Sequence, residues 1–287
     1  MGPAVTVGWA PTVDPGILER EIEPLRNYLE QSLKRRVVFR INGSYAEAGQ
    51  ELREGQLDFA VLPPLLLVKT RKLASGVHPV AVKEYDGVVD SDGLLIVRSD
   101  SQVRRLEELR DRVFCSPDPN STTGYFLPRA HLRNNGIDPD NFFRKIHWSG
   151  DHLQAIRDLL AGVCDAAATY SGAFISSDDL DIPVAQLRTL AITGHTTMDT
   201  VCAGPDVPES LVTDMQNALL TFDPRQLSDV QSSELKITPD EAWLGASQRI
   251  TGFAPVNPDV FDDLTREVAN AQKQVTDLHD AGKASDP

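Results

Sequence analysis

Residues 44–63, SYAEAGQELREGQLDFAVLP, and residues 151–170, DHLQAIRDLLAGVCDAAATY, align without a gap at a constant offset of 107. Ala48 matches Ala155, Leu52 matches Leu159, Gly55 matches Gly162, Asp58 matches Asp165 and Ala60 matches Ala167. Each copy opens on a hydrogen-bonding residue suited to cap a helix, continues with apolar positions three and four apart, and stops at a glycine; an aspartate and a buried strand follow. Working outward, VTVGWAP from Val5 lands on RVFCSPD from Arg112, and VVFRI from Val37 lands on RKIHW from Arg144. Both pairs read as strands. The pattern is two βαβαβ units, which predicts an α/β fold built from mostly parallel sheets flanked by helices.

The chain does not stop at two copies. A strand-like GLLIVRS from Gly93 precedes the second copy, and DTVCAGPDVPESLV from Asp199 follows it, leading into helical segments up to about Gln274. This order predicts two hinged lobes with a ligand cleft between them. Lobe one takes residues 1–92 and 199–287, lobe two takes residues 93–198, and the crossovers lie near Tyr85 to Asp92 and Thr193 to Asp199. The tail HDAGKASDP from His279 has no periodicity and is expected to fray.

Composition narrows the function. A chain of 287 residues with 41% hydrophobic content can bury a sizeable core. Its net charge of −14 and the lack of a dense Lys/Arg run argue against nucleic acid as a partner. The longest apolar run, FAVLPPLLLV from Phe59, is broken by two prolines and falls short of the roughly 20 residues of a membrane helix, so no transmembrane segment is expected. The opening MGPAVTVGWAP has neither a basic region nor a signal core, which fits a cytoplasmic protein or a trimmed leader. Cys115, Cys164 and Cys202 are too far apart for a CxxC motif, their odd number excludes a fully paired framework, and their apolar settings predict buried thiols.

In open parallel sheets, ligands sit beyond the carboxyl ends of the strands, where helices begin. The residues opening the second helix of each copy are Tyr45 and His152, which should face each other across the cleft. Ser44 and Glu47 form a capping box before the first of them. After the strand RVFCSP, Ser121, Thr122, Thr123 and Gly124 stand where another helix should start. Hydroxyls, unpaired N–H groups and the helix dipole there suit a tetrahedral oxyanion without any lysine, and Gly124 is expected to let the backbone come close. Tyr85 and Asp199 lie on the crossovers; a tyrosine hydroxyl can donate to an oxyanion, whereas a carboxylate must hold a cationic group or a proton. Gly124 is followed by Tyr125, which excludes the usual Walker loop, and no GxSxG, HExxH or EF-hand pattern occurs. Ser121, His152 and Asp199 have the chemistry of a catalytic trio, for which sequence supplies no geometry.

Three stretches together carry a resemblance: GSYAEAGQELREGQLDFAVLPP, DPNSTTGYFLPRAHLRNNGIDP followed by FF, and WSGDHLQAIRDLLAGVCDAAA. From about Val5 to Val260 the chain resembles the phosphate, phosphite and phosphonate solute-binding proteins of ABC importers, the PhnD-like group of type II periplasmic binding proteins. The resemblance implies a two-lobed, cofactor-free and metal-free binding protein that closes on a small anion and delivers it to a membrane permease. It is then periplasmic or membrane-anchored outside the cytoplasm, with a signal or lipoprotein segment trimmed. It also implies that Ser121, Thr122 and Thr123 hold the phosphorus oxyanion, with Tyr45, Tyr85, His152 and Asp199 around them. Binders of aminoalkyl phosphonates in this group carry a further acid just after the DAA strand, where this chain has Gly172. That departure favours phosphite, phosphate or methylphosphonate. LPPLLL from Leu62 is a second departure and predicts an apolar cleft wall. The fold also hosts cofactor-free enzymes, such as lyases of menaquinone biosynthesis, and sensor modules, which stand as alternatives.

Overall fold

The computed structural model describes residues 2–10, 14–227, 235–237, 242–245 and 249–270. The tail from His279 and the end of the helical stretch at Gln274 lie outside the described residues. Two compact units divide the chain, Met1–Val256 and Asn257–Pro287. In the second, residues 258–270 are helical, with Phe261, Leu264 and Val268 three and four apart.

In the first unit, β1 (Val5–Trp9) leads through α1 (Pro15–Glu21) and α2 (Glu23–Leu33) to β2 (Val37–Ile41). Next come α3 (Tyr45–Arg53), β3 (Phe59–Leu62), α4 (Pro64–Leu73), β4 (His78–Glu84) and β5 (Asp90–Arg98). The second copy begins at β6 (Val113–Ser116), followed by a π-helical turn, Thr122–Phe126, that runs on into α5 (Leu127–Asn134). Then follow β7 (Lys145–Trp148), α6 (His152–Leu160), β8 (Ala166–Tyr170), α7 (Ser171–Asp179) and β9 (Leu187–Thr197). β10 (Thr200–Ala203), α8 (Glu209–Leu220), β11 (Leu235–Ile237), β12 (Ala242–Leu244) and β13 (Gly252–Ala254) complete the order.

One sheet has the order β13-β4-β10-β3-β1-β2 and another β7-β6-β8-β5-β9. The repeat is therefore physical: β2-β1-β3 and β7-β6-β8 are the same parallel triplet. The expectation of mostly parallel sheets holds for these triplets only. β10 runs antiparallel to β3, and β5 antiparallel to β8, so each sheet is mixed. The reason is an exchange of strands: β5 follows β4 in sequence but joins the second sheet, and β10 follows β9 but joins the first. The two crossing stretches lie side by side, with Met198 N–H donating to Val89 O at 2.7 Å and Lys83 N–H to Asp199 O at 3.0 Å.

Each shared sequence feature has a hydrogen bond behind it. The Ser44 and Asp151 side chains accept the N–H groups of Glu47 and Gln154, capping α3 and α6. Gly55 and Gly162 close those helices at φ of 70° and 75°, a left-handed backbone that disfavours a side chain. The carboxylate of Asp58 accepts the N–H of Thr6 at 2.7 Å, and that of Asp165 accepts the N–H of Val113 at 2.8 Å. Each aspartate thus ties the entry of the third strand to the start of the first. Val5, Val7, Trp9, Phe59 and Val61 are buried with Leu18, Ile22, Leu25 and Leu29 of α1 and α2, while Leu95, Val97, Phe114, Phe142 and Ala168 gather in the second half.

The cysteines depart from the thiol expectation. Cys115 on β6 and Cys164, two residues before β8, form a disulfide with Cα atoms 5.8 Å apart; Cys202 is free and buried. Subtracting the offset of 107 puts Cys115 on Gly8 and Cys164 on Leu57. There the contact is apolar and tight: a Cβ added to Gly8 would stand 2.4 Å from Leu57 Cδ1. One pair of positions is thus held by packing in the first copy and by a covalent bond in the second.

Candidate functional site

Helix starts and strand ends converge on one cavity of about 90 Å³. A water needs roughly 10–15 Å³ of such space, so the cavity suits a ligand of a handful of heavy atoms. Tyr45, Tyr85, Ser121, Thr122, Thr123, His152 and Asp199 all line it. Gly124 does not line it. A Cβ there would stand 2.2 Å from Pro117 Cγ, so the glycine is required by the packing of Pro117 and not by the approach of a ligand.

The start of the π-helical turn is built from hydroxyls. Ser121 caps it, its Oγ accepting Gly124 N–H at 3.0 Å. Thr122 Oγ1 accepts Leu65 N–H at 2.9 Å, which leaves its own proton free to donate. Among the described residues no hydrogen bond engages the N–H groups of Thr122 or Thr123. These donors sit at the positive end of a helical stretch that continues through Asn134. Opposite, Pro63 caps α4, which begins Pro64-Leu65. A proline has no N–H, and that of Leu65 is already used, so this wall of the cavity is apolar, as LPPLLL predicts. Lys69 of α4 also donates to Asn120 Oδ1 at 2.9 Å, fastening the same loop.

His152, the first residue of α6, is buried with Nε2 3.1 Å from Ser121 Oγ and Nδ1 3.3 Å from Thr169 Oγ1. Burial depresses its pKa to about 4 against a partial upward pull from Asp199, so the ring is neutral at pH 7. Burial, reinforced by Asp199, holds the hydroxyls of Tyr45 and Tyr170 protonated well above their usual range. Both are neutral O–H donors at physiological pH. The catalytic trio is not assembled: His152 Nδ1 faces a threonine, and Asp199 Oδ2 is bonded to Lys83 Nζ at 3.0 Å.

Sequence reasoning missed several lining groups. Tyr170 ends β8, with the His152 ring edge-on at 4.9 Å. The switch-point rule that found Tyr45 points equally to the end of β8. Ser91, Thr196 and Thr197 come from β5 and β9. Lys83 ends its reach over Trp9, 5.5 Å from the ring centroid, and Arg249 lies 5.3 Å from the centroid of Tyr85. No local motif marks either cation. Among the described residues no cluster of three His, Cys, Asp or Glu side chains could hold a metal, and no helix is long and apolar enough to cross a membrane.

The chain has relatives in sequence and fold. The phosphate-import protein PhnD of Mycolicibacterium smegmatis is 22% identical over 275 residues, spanning 91% of this chain and 83% of that protein. A binding-protein component of an ABC phosphonate transporter from Pseudomonas aeruginosa superposes with a TM-score of 0.80 at 18% identity, covering 96% of this chain and 88% of the other. PhnD1 of Prochlorococcus marinus, solved with methylphosphonate, gives 0.78 at 17% identity, covering 94% and 98%. These structures share the type II periplasmic-binding-protein fold. Residues 7–261 match the family described as ABC transporter, phosphonate, periplasmic substrate-binding protein. A hydroxyl-rich cavity between two mixed sheets and a match over most of its length place this chain in that family, as a solute-binding component of an ABC importer.

Proposed function

We propose that the cavity takes a small phosphorus oxyanion, with phosphate, phosphite and methylphosphonate as the candidate ligands. The observation that carries this reading is the set of neutral donors around the start of the π-helical turn: the N–H groups and hydroxyls of Thr122 and Thr123, capped by Ser121. Neutral donors inside a cavity of reduced dielectric make charge-assisted hydrogen bonds to an oxyanion. Tyr45 and Tyr85 add phenolic donors, and His152 locks Ser121 in place. Asp199 lines the cavity and is held there by its ion pair with Lys83.

In this reading residues 1–92 and 199–287 form lobe one and residues 93–198 lobe two, and the paired crossovers are the hinge. The anion docks on lobe two, and closure brings Tyr45 and Tyr85 onto it. The closed state gains only from contacts the open state lacks. No covalent step is involved. A permease then receives the ligand outside the cytoplasm. The disulfide supports that location, because such bonds persist in oxidising compartments.

Calorimetry on wild type and Thr122→Val tests the reading with phosphate, phosphite, methylphosphonate, sulfate and a panel of carboxylates. The expected result is tight binding of one phosphorus oxyanion and a loss of about 10²-fold or more in the variant, since a charge-assisted hydrogen bond contributes roughly 1.5–3 kcal/mol and Leu65 N–H loses its acceptor as well. Binding of a carboxylate and of no phosphorus compound overturns it and makes turnover of that carboxylate the next measurement.

A further inference from the structure

Resting on the phosphorus-oxyanion reading, we propose that Lys83 sets the class of ligand: its ammonium, paired with Asp199 inside the cavity, fills the role of a ligand amine, so the protein selects phosphonates with uncharged tails against aminoalkyl phosphonates. Lys83 is held from several sides. Its side chain is 11% exposed, its Nζ stands 3.0 Å from Asp199 Oδ2, and the same ammonium lies over the Trp9 ring. Its backbone N–H donates to Asp199 O, so β4 and the return crossover fix the pair in register.

The other charges of the cavity point the same way. Arg249, over Tyr85, adds a second cation to the lining. The lining acids among the described residues are Asp199 and Glu84. Asp199 is already compensated. A Cβ added to Gly252 would stand 3.6 Å from Glu84 Oε1, which places that carboxylate against the edge strand β13. Nor does the start of α7 offer an acid: position 172 is glycine, and a Cβ there would stand 2.7 Å from Tyr170 Cε2, so the Tyr170 ring occupies the space of a side chain. A ligand ammonium entering beside Asp199 would therefore compete with Lys83 for that carboxylate, two like charges held close together in a confined cavity. An alkyl tail meets no such opposition, and Pro63, Pro64, Ile175 and Met198 give it apolar wall.

Calorimetry with ethylphosphonate and 2-aminoethylphosphonate, a pair that differs by the amine, tests the proposal. In wild type the amine is expected to weaken binding by at least about tenfold, equal to about 1.4 kcal/mol. Lys83→Met is expected to erase that ratio or invert it, Lys83→Arg to keep it, and Lys83→Met with Asp199→Asn to remove the gain in aminoethylphosphonate affinity. A wild-type ratio near one, or a ratio unmoved in Lys83→Met, overturns the proposal, and a wild-type ratio near one does so even if the variant fails to fold. If wild type binds neither compound nor phosphate, the phosphorus-oxyanion reading itself falls, a result distinct from a failed ratio.

Discussion

Buried between two hydroxyls, His152 is a neutral spacer whose cost appears only in acid. Its unfolded form takes a proton near pH 6.5, whereas the folded form resists until about 4. Between those values the unfolded state holds more protons, so stability falls as pH drops from 6.5 to 4 and the loss levels off below. His152→Asn removes that linkage, and the acid loss of unfolding free energy should shrink by on the order of 3 kcal/mol in urea titrations run at pH 7 and pH 4. An unchanged pH profile would mean the imidazole is solvated. At this scale the sequence marked the residues that open helices, Tyr45, Thr122 and His152, because capping and strand-end rules apply to single positions. It did not mark Lys83 or Arg249, whose place in the cavity depends on strands brought together from opposite ends of the chain. Gly124 carried a correct signal of close approach but the wrong neighbour, since Pro117 is set by the loop's own turn.

The helices α3 and α6 occupy matching positions at the offset of 107, residues 45–53 and 152–160, and the repeated aspartates explain why. A glycine that stops the helix and a carboxylate that catches the first strand form one joint, used twice. The cysteines escaped because spacing along the chain hides proximity across it. Once β6 and β8 are known to be neighbours, Cys115 and Cys164 meet as Gly8 and Leu57 do. Closing a loop of 49 residues contributes about 4 kcal/mol in the chain-entropy description. Cys115→Ala with Cys164→Ala should therefore lower the unfolding free energy by about 2–4 kcal/mol. In denaturant, a thiol reagent should titrate one cysteine before reduction and three after, and three before reduction would disprove the bond.

Over the whole molecule, the order of elements in each copy was legible because periodicity and caps are local. The mixed character of the sheets was not, since it arises from β5 and β10 trading places, a long-range choice that no window of residues records. Among the described strands, that exchange makes the chain pass from one sheet to the other at the two adjacent crossovers, which suits a hinge. The disulfide has one more consequence, a mechanical one. Tension applied through the two termini reaches Cys115 and passes straight to Cys164, 49 positions further on, bypassing the span between them. The Ser121–Thr123 helix start and His152 lie within that sheltered span. In an optical trap, adding reductant should lengthen the fully stretched chain by roughly 160–180 Å, and until then the Ser121–Thr123 loop stays coiled while the rest of the protein is drawn out around it.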